Sequence, residues 1–238
     1  MIGLGTAINI GLIIAGSLCG LAFGRFMKEN LKQTLMMVSG IIVLLLGMSG
    51  AMQYMLVIVN GMIQTTGPML MIISMVAGAV IGELIDLNRW ITVFGDWVKA
   101  KTGNTGDPQF THAFITASLT FTVGAMGVLG SIQDGLTGNY QTLLLKGILD
   151  GIIVMVMVSS MGKGALFSFI PVGITQWIIT AMAHIAAPLM TPSAIDNLSY
   201  VGSILIFCVG IDLIWPGKIR IANLLPAIFV AMGLTFLL

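Results

Sequence analysis

Apolar residues run along this chain in long stretches, and polar residues fall between the stretches instead of alternating within them. A helix needs ~20 such residues to cross the hydrocarbon core of a bilayer. Stretches of that order cover 2–23, 34–59, 69–86, 111–131, 143–161 and 165–190. Two shorter ones, 200–215 and 224–238, sit near the lower limit, where a helix crosses with little tilt or dips in as a hairpin. The pattern predicts an all-α, polytopic transmembrane helical bundle of about eight spans, with seven spans or a re-entrant pair as the alternatives. Residues 1–238 then form a single integral membrane domain.

The longest polar segment, 87–110, has a different period. Trp90, Ile91, Val93, Phe94, Trp97 and Val98 recur at helical spacing before Gly103, Asn104, Gly106, Asp107 and Pro108 break the pattern. This predicts an amphipathic helix lying in the membrane interface, followed by a flexible loop on the cytoplasmic side.

Composition narrows the solvent to lipid. Hydrophobic residues make up 57% of the chain and charged residues 8%, against ~25% charged in an ordinary soluble domain. A net charge of +1 offers no basic excess for nucleic acid, so the bilayer is the first partner. Cys19 and Cys208 both lie inside apolar stretches and read as buried hydrophobes, with no disulfide framework. No basic residue precedes the first stretch, which is the reverse of a secretory signal and reads as a retained span.

Sidedness follows from the ten basic residues. Arg25, Lys28 and Lys32 follow span 1, and Arg89, Lys99 and Lys101 follow span 3. Lys163 joins spans 5 and 6, and Lys218 and Arg220 join spans 7 and 8. All of these fall on one side, while the loops 60–68, 133–142 and 191–199 on the other side carry none. Basic loops stay in the cytoplasm. The expected location is therefore the inner (cytoplasmic) cell membrane, with both chain termini outside. Trp90, Trp97 and Trp215 on the basic side and Tyr140 and Tyr200 on the other fit headgroup depth. Lys146 alone breaks the rule.

Sliding the chain by 108 residues aligns Gly16 with Gly124 and Gln33-Thr34-Leu35 with Gln141-Thr142-Leu143. The match points to an inverted internal repeat with halves 1–86 and 111–215, although a second resemblance, 82–86 to 210–214, joins spans that run parallel. Thirty glycines mark close helix approaches, with four-residue spacing at Gly16, Gly20 and Gly24, at Gly78 and Gly82, and at Gly147 and Gly151. Such faces pack helices within the chain or join copies in a homo-oligomer.

Candidate chemistry begins where charge enters the membrane. Lys146 and Asp150 are four residues apart and share a helix face, with Asp150 ~11 Å below the outer end of its span. Intramembrane ionisable residues mark an ion or substrate pathway by default; a self-neutralising pair that only fixes packing is the alternative. Gln133 and Asp134 lie between Gly130 and Gly135, where span 4 could leave helical geometry and present a carboxylate toward Lys146. Thr116, Thr120, Gly124, Gly127 and Ser131 give span 4 one small, polar face, either a solute path or a packing surface. Span 6 adds Gln176 and His184, whose imidazole would titrate near neutrality as a proton relay or simply hydrogen-bond. Glu83, Asp86 and Asp212 share a depth at the basic side and are a candidate cation site, or interfacial partners of Arg89 and Lys218. Asn9 is a further polar group in span 1 that needs a partner.

No Walker sequence, His-Glu-x-x-His, Gly-x-Ser-x-Gly or cysteine-histidine metal spacing occurs. An enzyme is not expected, nor a cofactor, a resident metal or catalytic residues. Three motifs carry a resemblance: Gly24-Arg25 with the basic loop through Gln33-Thr34-Leu35, the stretch from Val123 to Leu136, and Lys146-Gly147-Ile148-Leu149-Asp150-Gly151. On these the chain resembles the YqgA/YdfK-like family of uncharacterised bacterial integral membrane proteins. The resemblance implies a membrane protein for which transport is the suggested class, and supplies no substrate. The function expected is a small-solute or ion transporter, proton- or cation-coupled, centred on Asp134, Lys146 and Asp150; a passive channel or a non-transporting scaffold or accessory subunit is the alternative.

Overall fold

Helices form along every apolar stretch, because lipid offers no hydrogen bonds and each backbone amide and carbonyl must be satisfied within its own segment. The computed structural model describes residues 2–24, 26, 28–122, 125–186 and 191–236. Their order is α1 (Leu4–Gly24), α2 (Glu29–Met55), β1 (Leu56–Val59), β2 (Met62–Thr65), α3 (Pro68–Ile85), α4 (Leu87–Lys101), α5 (Phe110–Thr122) and α6 (Ala125–Thr137). There follow α7 (Gln141–Met161), a 3-10 turn (Lys163–Ser168), α8 (Phe169–Ala181), α9 (Ala183–Ala186), α10 (Pro192–Ile214), a second 3-10 turn (Ile221–Leu224) and α11 (Pro226–Leu234).

Six of the described segments are long and apolar enough to cross a membrane. Helices α5 and α6 are together long and apolar enough as well, but differ in direction by 60°, as a broken span or a re-entrant pair does. The shorter apolar segment Ile221–Leu234 corresponds to the eighth stretch. The chain is thus a polytopic helical bundle, as the hydropathy pattern predicts, with three boundaries in different places.

Span 2 stops at Met55, and Leu56–Val59 pairs antiparallel with Met62–Thr65. Asn60 and Gly61, between the strands, both have positive φ, as a two-residue hairpin turn of the primed type requires. The Asn-Gly dipeptide thus overrides the helical continuation to residue 59. Span 7 starts earlier than hydropathy suggests. The Thr191 hydroxyl accepts a hydrogen bond from the Ala194 amide and Pro192 fills the first turn, so the polar residues 193–199 are helical. Helix α6 runs through Gly130, Asp134 and Gly135 to Thr137 instead of breaking there.

Small residues decide which helices meet. A Cβ on Gly16 would strike the Gly151 backbone and one on Gly20 the Met155 backbone, so α1 and α7 touch main chain to main chain. The Ser159 hydroxyl donates to the Gly20 carbonyl at 3.0 Å across this seam. Gly47 presses on Phe207 to pair α2 with α10, and Gly78 and Gly82 press on Ala227 and Asn223 to seat α11 and its leading turn on α3. The seams predicted at Gly16, Gly20, Gly24, Gly78, Gly82, Gly147 and Gly151 are filled by neighbours within the chain. The 108-residue offset places the unbroken α1 on the bent α5 and α6, and its anchor Gly124 lies outside the described residues.

Helix α4 is amphipathic as the spacing predicts. Its Val98 is buried with Phe110 and Phe114 of α5, and Phe94 packs on Phe114 with ring centroids 5.9 Å apart. Trp90, Val93 and Trp97 stay exposed on the opposite face.

Candidate functional site

Helix α7 brings Lys146 and Asp150 onto one face a single turn apart, and their side chains form a direct ion pair. Both are nearly buried, at 6% and 7% exposure, which holds two charges where water is scarce. The pair is not self-contained. The Lys146 ammonium also donates to the Phe121 carbonyl at 2.9 Å. Phe121 stands in the last turn of α5, where carbonyls lack the amide four residues on and carry the negative end of the helix dipole. A cation therefore sits at the negative end of α5.

Further polar groups crowd the same place. Asn9 of α1 approaches Asp150 at a geometry that leaves both its amide atoms without a hydrogen bond, and it is fully buried. A Cβ on Gly127 would lie 3.3 Å from Lys146 Cε and 3.9 Å from the Gln176 amide nitrogen, so both side chains pack against this glycine. Gln176 is buried, and its amide oxygen is likewise unbonded.

Two cavities approach this centre. One, of about 410 Å³, is lined by Lys146 and Asp150 together with Thr120 and Phe121 of α5, Gln53 of α2 and Ser203 of α10. Its α2 wall runs to Gln53 and Tyr54, at the end of α2 away from the basic loops. The other, also about 410 Å³, lies among the basic-side residues His112, Asp212 and Arg220 and reaches Thr116 and Leu119. Thr116 and Thr120, predicted as a polar face, thus line different cavities one helical turn apart, and the Thr120 hydroxyl donates to the Thr116 carbonyl at 2.8 Å.

Other predicted residues have separate duties. Asp134 does not turn to Lys146: its Oδ2 accepts from the Gly5 amide at 3.0 Å, where the amide-rich start of α1 favours an anion. Gly130 and Gly135 leave the helix intact because they serve packing, against Leu143 and against Thr180 and Ala183. Gln133 accepts from the Thr142 hydroxyl at 2.7 Å and ties α6 to α7. The three carboxylates at the basic side do not act together. Glu83 pairs with Arg220 at 3.1 Å, Asp86 caps α4 through the Arg89 amide, and Asp212 binds the Gly217 amide at 2.8 Å and faces His112 at 3.4 Å. Among the described residues no group of three His, Cys, Asp or Glu is placed to hold a metal ion. The His184 side chain lies outside the described residues.

Sequence reasoning missed the Phe121 carbonyl, the Ser203 and Gln53 walls, and His112. A backbone carbonyl has no sequence signature, and His112 gains meaning only from Asp212, one hundred residues away.

Fold and site together define a polytopic helical membrane protein with a charged centre within its span region. The chain belongs to the family described as "Protein of unknown function (DUF554)", whose model matches residues 4–236. It is 27% identical over 235 residues to the "Uncharacterized membrane protein YdfK" of Bacillus subtilis (strain 168), covering 98% of this chain and 96% of that one. It is 24% identical over 240 residues to the "Uncharacterized protein YqgA" of Escherichia coli (strain K12), again covering 98% and 96%. No solved structure matches the chain.

Proposed function

We propose that this protein is a membrane transporter for a small solute or ion, with Lys146 and Asp150 at the centre of the pathway. The observation that carries the reading is the cavity that reaches both side chains, faced by a second cavity one turn of α5 away. A pair that only held helices together would need neither a cavity nor a half-span ending on it. Among the described residues no catalytic constellation accompanies the pair, and the reading is of a carrier. The basic loops set the orientation in the inner membrane, with both termini outside.

A carrier must open its centre to each side in turn. With Cys19 and Cys208 replaced by alanine, a Thr120→Cys protein should react with an impermeant thiol reagent added to either face of a sealed vesicle. Substrate-free conditions that slow labelling from one face should speed it from the other. Labelling from one face only, under all conditions, rejects the carrier; single-channel current would assign a passive pore instead.

A further inference from the structure

The cavity that reaches Lys146 and Asp150 is graded along its length. Helices α2 and α10 wall it and run antiparallel, since a Cβ on Gly40 would meet Ile214 and one on Gly50 would meet Ser203. That register sets Gln53 and Tyr54 of α2 level with Ser199 of α10, and Leu46 level with Ile206, with Val43 about a turn deeper. Polar side chains thus gather at the end away from the basic loops. Apolar ones gather at the other end, where Val43, Ile206 and Ile153 of α7 share one hydrophobic cluster. The ion pair stands on the wall beside that apolar floor, with Ile153 less than one turn beyond Asp150 on the way to Lys163.

Among the described residues that line the cavity, Lys146 and Asp150 carry the only charges. Its net charge is therefore zero, made of one cation and one anion side by side. A solute with a single charge would meet an attracting and a repelling partner at nearly the same distance. A solute with both charges on neighbouring groups meets each with its opposite, and strands neither. The pair also has hydrogen bonds to offer. An ammonium has three N–H donors, and among the described residues Lys146 gives two, to Asp150 and to the Phe121 carbonyl. Asp150 keeps acceptor sites beyond the one that Lys146 takes. The Thr120 and Ser203 hydroxyls donate to carbonyls of their own helices and keep oxygen lone pairs as acceptors.

We propose that the solute is a small zwitterion, an α-amino acid with an apolar side chain. Its carboxylate accepts the third Lys146 N–H, its ammonium donates to Asp150, and its side chain fills the floor at Leu46, Ile153 and Ile206. The inference rests on the transporter reading and names its substrate class. Both protein charges keep their state throughout, and no covalent bond forms or breaks. The cavity volume of about 410 Å³ lies toward the small end of ligand pockets, which run from ~300 to 1,000 Å³. A polar entrance, a charged middle and an apolar floor also fix the orientation: the solute enters side chain first and leaves its charged head at the pair.

The test uses the full chain in liposomes and radiolabelled leucine, valine and phenylalanine. Uptake of at least one should saturate. For leucine the competitors are 4-methylpentanoate, which is leucine without its ammonium, and 3-methylbutylamine, which is leucine without its carboxylate. Each half-molecule should compete roughly thirtyfold or more weakly than leucine itself. Glycine, with both charges and no side chain, should also compete weakly. Asp150→Asn and Lys146→Met should both transport leucine poorly, but in opposite ways: 4-methylpentanoate should gain on leucine in the first, where Lys146 stands alone, and 3-methylbutylamine in the second. Because either variant could fail to fold, the wild-type protein supplies an independent readout: its melting temperature in detergent should rise with the transported amino acid and stay unchanged with either half-molecule. If the wild type answers a half-molecule as strongly as the amino acid, or answers none of the three amino acids in both assays, the inference is overturned. Should the Thr120→Cys protein still be labelled from both faces in that case, the carrier reading survives and only the substrate class is wrong; labelling from one face alone would remove both.

Discussion

Lys146 and Asp150 depend on each other for their charge. Removing one partner of a buried pair leaves an unpaired charge and typically costs ~3 to 5 kcal/mol, whereas replacing both can be nearly neutral. Lys146→Met should strand Asp150 beside the unbonded Asn9 amide, and Asp150→Asn should leave the ammonium with the Phe121 carbonyl alone. Each single variant should therefore melt well below wild type in detergent, while Lys146→Met/Asp150→Asn together should recover most of the loss. Flux decides what the pair is for. A double variant that is both stable and fully active would make the pair a packing device and remove it from the pathway. The pair was legible in the sequence because charge inside an apolar stretch is conspicuous. Its partner at Phe121 was not, since it depends on where α5 ends.

Helices in lipid gain nothing from burying apolar surface against each other, so main-chain proximity must hold these elements. The seam of α1 on α7 is the one that places Asn9 beside Asp150. Gly16→Val should therefore act at a distance: the added Cβ meets the Gly151 backbone, which cannot move aside as a side chain would. Overpacking of this kind costs ~1 to 3 kcal/mol. Gly11→Val, on the same helix with nothing within 4 Å of its Cβ, is the matched control and should melt as wild type. Equal melting temperatures for the two variants would show that the seam bears no load. Element existence was readable from hydropathy, and the glycine seams from four-residue spacing. The ends were harder. Apolar strand residues such as Val57 and Ile58 read as helix by hydropathy alone, and only the Asn60-Gly61 turn signal separates them. The polar residues after Thr191 read as loop although a threonine cap and a proline start a helix there.

At the scale of the whole molecule, the basic loops converge. Arg220 of the second 3-10 turn reaches Glu83 at the end of α3, and Gly162 beside Lys163 packs near Asp107. Cysteines at position 105 and at positions 137 and 197 should thus report from opposite sides of the membrane. In intact cells an impermeant thiol reagent should label 137 and 197 and spare 105. Labelling of 105 from outside would invert the orientation. Sidedness is an expectation drawn from sums of charges along the chain, and the labelling tests it. The two cavities were not legible in the sequence, because each is walled by helices distant in sequence.

One turn of α5 separates Thr116 in one cavity from Thr120 in the other. With water in both, the insulating layer there is about 6 Å thick, against ~30 Å of hydrocarbon elsewhere. A membrane voltage then falls across that short gap, and the electric field inside it is several times steeper than in the surrounding bilayer. At 100 mV the full drop is worth ~2.3 kcal/mol for each elementary charge that crosses alone. Any charged solute that passes the centre alone must do that work within this one turn of helix, so the flux of a charged solute would respond to voltage at the level of Thr116 and Thr120 and hardly at all in the cavities on either side.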